Sequence, residues 1–268
     1  MNPTPKDPKA RAAAELRAYL LSLKEDGVRE VEADPELVRR LGARGTVRPA
    51  SRPAPAPPPT TPPAPVPTPQ KGPQEGGAAP ALADIARRVA ACTLCPLHKT
   101  RTRTVPGQGS VAPEIMFVGE GPGADEDRQG LAFVGRAGQL LTKIIEAMGL
   151  TRDEVFIGNI VKCRPPDNRV PLPEEMQACR PYLKEQIALL QPKVIVALGA
   201  TAVRGLVETD RGITKLRGTW MSYEGVDLMP TFHPAYLLRN PSGKPQVWED
   251  MKAVLERLGR RPPPRPKA

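Results

Sequence analysis

Between about residues 81 and 258 the apolar positions follow two rhythms, and the two alternate along the chain. Short apolar runs at 114–120, 154–161 and 193–199 predict strands, the first of them buried on both faces over Ile115 to Val118, because a strand with one wet face would alternate apolar with polar. Over 81–90, 136–149, 173–190 and 201–207 the apolar residues recur at helical spacing, with Pro181 predicting a kink or interruption in the third helix. Glu224 and Gly225 predict a hairpin leading into a run from Val226 to His233, and a closing helix carries Val247, Met251, Val254, Leu255 and Leu258 on one face. Strands alternating with helices predict an α/β fold whose parallel sheet is covered on both sides.

Outside that stretch the pattern fades. Residues 1–47 form an extension in which Ala13, Leu16, Leu20 and Leu23 allow a short amphipathic helix over 8–31, too small to fold alone. Residues 48–80 are dominated by Pro, Ala and Thr and predict an extended linker without a core, and residues 259–268 form a basic Pro-rich tail. The globular unit is thus expected at 81–258, the size of one domain.

Charge narrows the partner. The 268 residues carry 39 Lys and Arg against 29 Asp and Glu, a formal net charge of +10. A polyanion, nucleic acid first, suits such a balance, against the plainer reading of a solubilising excess. No apolar run approaches the roughly 18 residues that would cross a bilayer, and Met1 does not open a basic-then-apolar leader. A soluble cytoplasmic protein with no membrane contact is expected.

In an open parallel sheet, ligands bind beyond the carboxyl ends of the strands. The first buried run ends in G-E-G-P-G, where Gly119, Gly121, Pro122 and Gly123 predict a turn with exposed backbone amides and the Glu120 carboxylate at its tip. The other strand ends offer Asn159, Gly199 and His233. Asn159 interrupts an apolar run, so its amide is either a structural hydrogen bonder or a ligand reader. His233, one of two histidines, precedes a proline that fixes its loop; it is either an ordinary capping residue or a catalyst.

Four cysteines supply a second signal. Cys92 and Cys95 form a C-x-x-C pair, and Cys163 and Cys179 follow far downstream. In a chain without an export leader a shared metal site is favoured over two disulfides. Four thiolates suit a 4Fe-4S cluster or a structural zinc, and the wide spacing of the second pair leans toward the cluster. Buried free thiols are the plain alternative, most of all for Cys179 on its helix.

Taken together, G-E-G-P-G at 119–123, F-V-G-R-A-G-Q-L-L at 133–141, N-I-V-K-C-R-P-P at 159–166, A-C-R-P-Y-L at 178–183 and H-P-A-Y-L-L-R at 233–239 resemble family 4 uracil-DNA glycosylases, the iron-sulfur type of bacteria and archaea. The resemblance spans about 81–258 and leaves out the extension and the linker. It implies a three-layer α/β/α sandwich with a central, mainly parallel four-stranded sheet, and a cluster on Cys92, Cys95, Cys163 and Cys179. The implied activity is base excision repair: uracil is flipped out of single- or double-stranded DNA and its N-glycosidic bond hydrolysed.

The resemblance also implies roles. Phe133 would stack on the flipped ring, Asn159 would read its polar edge, and Glu126 would block the methyl group of thymine. His233 would stabilise the negative charge that develops on uracil O2. Gly121 stands where many uracil glycosylases carry an aspartate, so water activation rests on Glu120 or on no side chain at all, and Gly123 completes the substrate-facing turn. Leu237, Leu238 and Arg239 would meet DNA at the rim as apolar wedge and phosphate contact, with both leucines divided between wedge and core helix. A monomer is expected, with the N-terminal extension as a candidate contact for another repair protein. A non-catalytic or suicide-type iron-sulfur relative that recognises uracil or abasic DNA is the rival; the suicide form carries a histidine in a basic insertion, and Asp127 to Phe133 contains none. A family 5 enzyme, with broader substrates, is disfavoured by Glu120 and Asn159.

Overall fold

The buried apolar runs become the centre of one sheet. The computed structural model describes residues 75–264 apart from 208 and 210, so the helix expected over 8–31, nearly all of the linker and the last four residues lie outside the described residues. The strands are β1 (Gln108–Gly109), β2 (Ile115–Gly119), β3 (Phe156–Asn159), β4 (Val194–Leu198), β5 (Met221–Tyr223) and β6 (Val226–Thr231). They lie in the order β1-β3-β2-β4-β6-β5. The inner four are parallel, as expected. The sheet has six strands rather than four because two short edge strands join antiparallel, β1 on β3 and β5 on β6. β1, two residues with no apolar pattern, could not be read from periodicity, whereas β5 is the first arm of the expected hairpin.

The helices are α1 (Glu75–Ala91), α2 (Ala124–Gln129), α3 (Arg136–Ala147), α4 (Pro173–Leu190), α5 (Ala200–Leu206), α6 (Ile213–Leu216), α7 (Pro234–Arg239) and α8 (Lys244–Arg257). From β2 the chain crosses to β3 on one side, then passes back over β2 to β4. With right-handed crossovers, that reversal places α3 on one face and α4 and α5 on the other. The packing agrees: α1 lies on α4, α3 on α7, and α8 against β6. The result is the expected α/β/α sandwich. Its core is the inner strands, with Met116, Phe117, Ile157, Ile195, Val196 and Leu228 fully buried.

Two expectations need correction. The first helix begins at Glu75, ahead of the boundary expected at Ala81, and runs through Pro80. α4 likewise continues through Pro181 as one element; a proline removes a single helical hydrogen bond, and the burial of Cys179, Leu183, Ile187 and Leu190 along the same helix outweighs that loss.

The reversal of chain direction makes the carboxyl ends of β2 and β4 a topological switch point, where a crevice opens between diverging connections. The G-E-G-P-G turn and Gly199 sit there.

Candidate active site

A cavity of about 420 Å³ opens at that switch point, within the ordinary range for small-ligand sites. Its walls bring together Glu120, Gly121, Gly123, Glu126, Phe133, Asn159, His233 and Arg239, residues that the sequence places on four separate segments. Leu238 is not in the wall; it stands 39% exposed on α7. Leu237, by contrast, is buried, which settles it as core.

Asn159 ends β3 directly opposite Gly119 of β2. It is only 1% exposed, yet its Oδ1 has no hydrogen-bond partner. Orphaned buried acceptors are rare and cost about 1–3 kcal/mol. The register explains how the side chain fits: a Cβ on Gly119 would stand 2.6 Å from Asn159 Oδ1 and 2.4 Å from Phe133 Cζ. Glycine at the strand end is therefore what lets an amide and an aromatic ring share one corner.

Phe133 is held from both sides. Its backbone lies against α3 so closely that a Cβ on Gly138 would meet the Phe133 carbonyl at 2.0 Å, and its φ of 53° is left-handed, unusual for an aromatic residue. Glu126 braces this conformation. Its Oε1 accepts the backbone N–H groups of Val134 and Gly135, both at 2.8 Å, and its Oε2 accepts that of Gly123 at 3.1 Å. The Gly123 amide, expected to face a ligand, is instead engaged by Glu126. The next residue, Asp127, is buried and accepts from the backbone of Thr102 and Arg103, so α2 ties the pocket to the segment following the C-x-x-C pair. The apolar pattern gave no sign of α2; the three acidic residues in its first turn, favourable at a helix N-terminus, were the available signal.

Gly121 is glycine for a packing reason. A Cβ there would press within 2.8 Å of Val161 Cγ2, so any side chain at that point of the turn requires Val161 to shift. Glu120 lines the cavity beside it.

His233 caps α7: its Nδ1 accepts the backbone N–H of Ala235 at 3.1 Å. That bond assigns the ring proton of the neutral imidazole to Nε2. Burial, assisted by the positive charge of Arg239, pushes the His233 pKa down to about 4. The ring lies 5.7 Å from that of Phe133, tilted by 37°. Behind it, Thr231 donates to Asp250 at 2.6 Å, and Asp250 pairs with Arg217. Burial pushes the Asp250 carboxyl up in spite of these partners. Asp250 anchors the end of β6 just before His233; in the sequence it is a polar break in the apolar stripe of the closing helix.

The four cysteines line a second cavity with Arg101, Lys162 and Tyr182. Cys163 Sγ accepts from the Arg101 guanidinium at 3.1 Å and Cys179 Sγ from the Lys162 backbone at 3.3 Å. Arg101 also holds the carbonyls of Cys92 and Ala90. Burial pushes the Cys179 thiol up to about 11, with Lys162 pulling the other way. Among the described residues no group of three or more His, Cys, Asp or Glu is arranged to hold a metal ion.

An α/β/α sandwich with a cavity at its switch point defines a class, and the family model described as the uracil DNA glycosylase superfamily matches residues 106–252. That stretch contains the whole cavity wall and two of the four cysteines. A type-4 uracil-DNA glycosylase of Thermotoga maritima is 51% identical over 164 residues, 60% of this chain and 84% of the relative. Another of Sulfurisphaera tokodaii is 46% identical over 185 residues, 66% of this chain and 84% of the relative. A type-5 uracil-DNA glycosylase of Pyrobaculum aerophilum reaches 33% over 172 residues, 58% and 75% of the two chains. The chain belongs to the type-4 uracil-DNA glycosylases.

Proposed function

We propose that this protein removes uracil from DNA by hydrolysing its N-glycosidic bond, leaving an abasic site for repair. The observation that carries the reading is the orphaned Oδ1 of Asn159, buried beside Phe133 and sharing a cavity with His233. A base that offers one donor and one acceptor along its edge completes the Asn159 amide. Uracil does so with N3–H and O4, and cytosine, which reverses the pattern, would leave both partners unsatisfied. Flipping the nucleotide out of the stack costs a few kcal/mol, least where its pairing is already weak. Phe133 stacks on the extruded ring, and Glu126, its carboxylate immobilised by three amides, stands as a rigid wall against a 5-methyl group.

As the glycosidic bond lengthens, its electron pair passes to uracil N1 and delocalises onto O2, while positive charge develops on the sugar. Neutral His233 donates from Nε2 to O2, and the Ala235 N–H holds the ring in that tautomer. A fixed donor at a developing oxyanion contributes about 2.7–4 kcal/mol. Water then adds to C1′ and gives up a proton. With glycine at 121, Glu120 is the side chain at hand to orient that water, and a bond that breaks largely before attack needs little more. Arg239 and Leu238 stand at the rim for phosphate and for the gap left in the stack.

The cysteine donor set fits an iron-sulfur cluster: four thiols around one space, two of them already accepting N–H bonds of the kind that tune such centres. The wide spacing of Cys163 and Cys179 along the chain, unlike two adjacent C-x-x-C knuckles, supports a 4Fe-4S cluster over zinc. When bound, the cluster supplies a cross-link between the end of α1, the chain after β3 and α4. No helix among the described residues is long and apolar enough to cross a membrane, and DNA as substrate suits the cytoplasm.

Incubation with a uracil-containing oligonucleotide followed by alkali tests the reading. Strand cleavage at uracil is expected; an intact strand would overturn it in favour of a non-catalytic DNA-binding protein.

A further inference from the structure

Lys162 takes no part in the chemistry described so far, yet it is one of the most completely buried large side chains in the protein, 1% exposed. Buried lysines are uncommon and need a reason. Its Nζ donates to the backbone carbonyl of Asn159 at 2.9 Å and to Gln186 Oε1 at 2.7 Å. Gln186, also buried, passes the link on: its Nε2 donates to the Pro106 carbonyl at 2.7 Å, in the loop before β1. The Lys162 backbone is occupied as well, its N–H donating to Cys179 Sγ and its carbonyl accepting from Val105 at 2.8 Å. One residue thus joins a cysteine donor to the peptide that carries the base-reading amide.

The arrangement has a geometric consequence. Beyond Asn159 the chain leaves β3 and turns toward Cys163, so Asn159, paired in register with Gly119, is the last residue of the strand and its carbonyl lies at the strand's end. The Lys162 ammonium, three residues on, folds back to hold that carbonyl. Rotation of this peptide would swing the Asn159 amide relative to Phe133, and a displacement of about 1 Å at a reading or reacting group can cost on the order of a hundredfold.

We propose that Lys162 is a positioning residue: by binding the Asn159 carbonyl and Gln186 it fixes the reading amide relative to the cysteine site, and so sets the discrimination of uracil from other bases. The inference rests on the assignment of Asn159 as the uracil reader.

The test uses the full chain with its cysteine site loaded and two DNA probes. One carries 2′-fluoro-2′-deoxyuridine, which is recognised but resists hydrolysis; the other carries a stable abasic analogue. The Lys162→Met variant is expected to bind the uracil probe at least tenfold more weakly than the wild type while binding the abasic probe equally well, and to show a reduced ratio of uracil to cytosine excision. A lysine that merely holds the fold together would weaken both probes alike. Gln186→Met keeps Lys162 and removes its second anchor, and is expected to shift the uracil probe in the same direction by a smaller factor. It serves in place of Lys162→Met if that chain does not fold. Unchanged uracil-probe affinity in the folded variants, or equal losses on both probes, overturns the proposal. Failure of the wild type itself to prefer the uracil probe over a thymine probe would instead overturn the reading of the pocket.

Discussion

Asn159 Oδ1 lies 2.6 Å from where a Cβ on Gly119 would stand, and Phe133 Cζ lies 2.4 Å from the same point. The absent methyl group is therefore the condition for the Asn159 amide and the Phe133 ring to occupy one corner. Gly119→Ala is expected to push one or both aside. Overpacking of this kind costs about 1–3 kcal/mol, so single-turnover uracil excision should fall roughly 10- to 100-fold. Thermal unfolding of the same variant checks that the loss lies in the pocket and not in the sheet; a fully active, fully stable variant would show that the corner has slack.

His233 offers a prediction with a sign. Its folded pKa, about 4, lies below the ordinary 6.5. The unfolded chain therefore binds more protons than the folded one between those values, and this group's contribution to stability is lost as pH falls from about 6.5 toward 4. Above that window the contribution is fully present and no longer changes with pH. For catalysis the neutral donor persists well below pH 6.5, so the acid limb of the single-turnover profile should fall near pH 4 to 5 and not near the ordinary histidine value. His233→Ala should retain uracil-DNA binding while turnover drops by about 10²–10³. An acid limb at 6.5, or a near-normal rate in the variant, would remove His233 from the reaction.

The inner strands were legible because burial on both faces leaves continuous apolar runs, and Asn159 and His233 were legible because they break such runs at strand ends. What the sequence concealed were residues whose partners are far away or are backbone atoms. Glu126 looked like a wall facing a methyl group; its three amide bonds depend on a turn and a loop that periodicity does not describe. Asp250 and Lys162 carry no local signal of a role, and only the fold supplies Thr231, Asn159 and Gln186 to satisfy them. The Gly123 amide was hidden for the same reason, since nothing local reveals that Glu126 takes it. The prolines at 80 and 181 misled in the opposite direction, because a strong local rule yields when one face of a helix is deeply buried.

Glu126 distinguishes two roles that the sequence merges. If it acted only as a steric wall, Glu126→Ala would admit thymine and leave uracil excision intact. The three backbone N–H groups it accepts predict otherwise. Their loss leaves donors unsatisfied and releases Phe133 from its left-handed conformation, so uracil excision itself should fall, on the order of tenfold or more. Excision from U:G and T:G duplexes measures both. Gain of thymine activity with unimpaired uracil turnover would reduce Glu126 to a wall.

The cysteine site makes the last prediction. Four thiols at a shared cavity, with burial holding Cys179 as a neutral thiol up to about 11, would be inert unless a metal centre displaces their protons. A brown preparation with broad absorbance near about 400 nm is expected, and colourless protein with stoichiometric zinc would overturn the cluster assignment. Removal of the centre should act first on the segments it joins. Arg101 reaches Cys163 Sγ, and the chain just beyond Arg101 is pinned by Asp127 next to Glu126. Loss of the centre should therefore loosen the Phe133 brace as well as lower the melting temperature. Cys163→Ser should weaken the 2′-fluoro-2′-deoxyuridine probe more than the abasic one, whereas a centre that only stabilises the fold would lower melting temperature and leave the ratio of the two affinities unchanged.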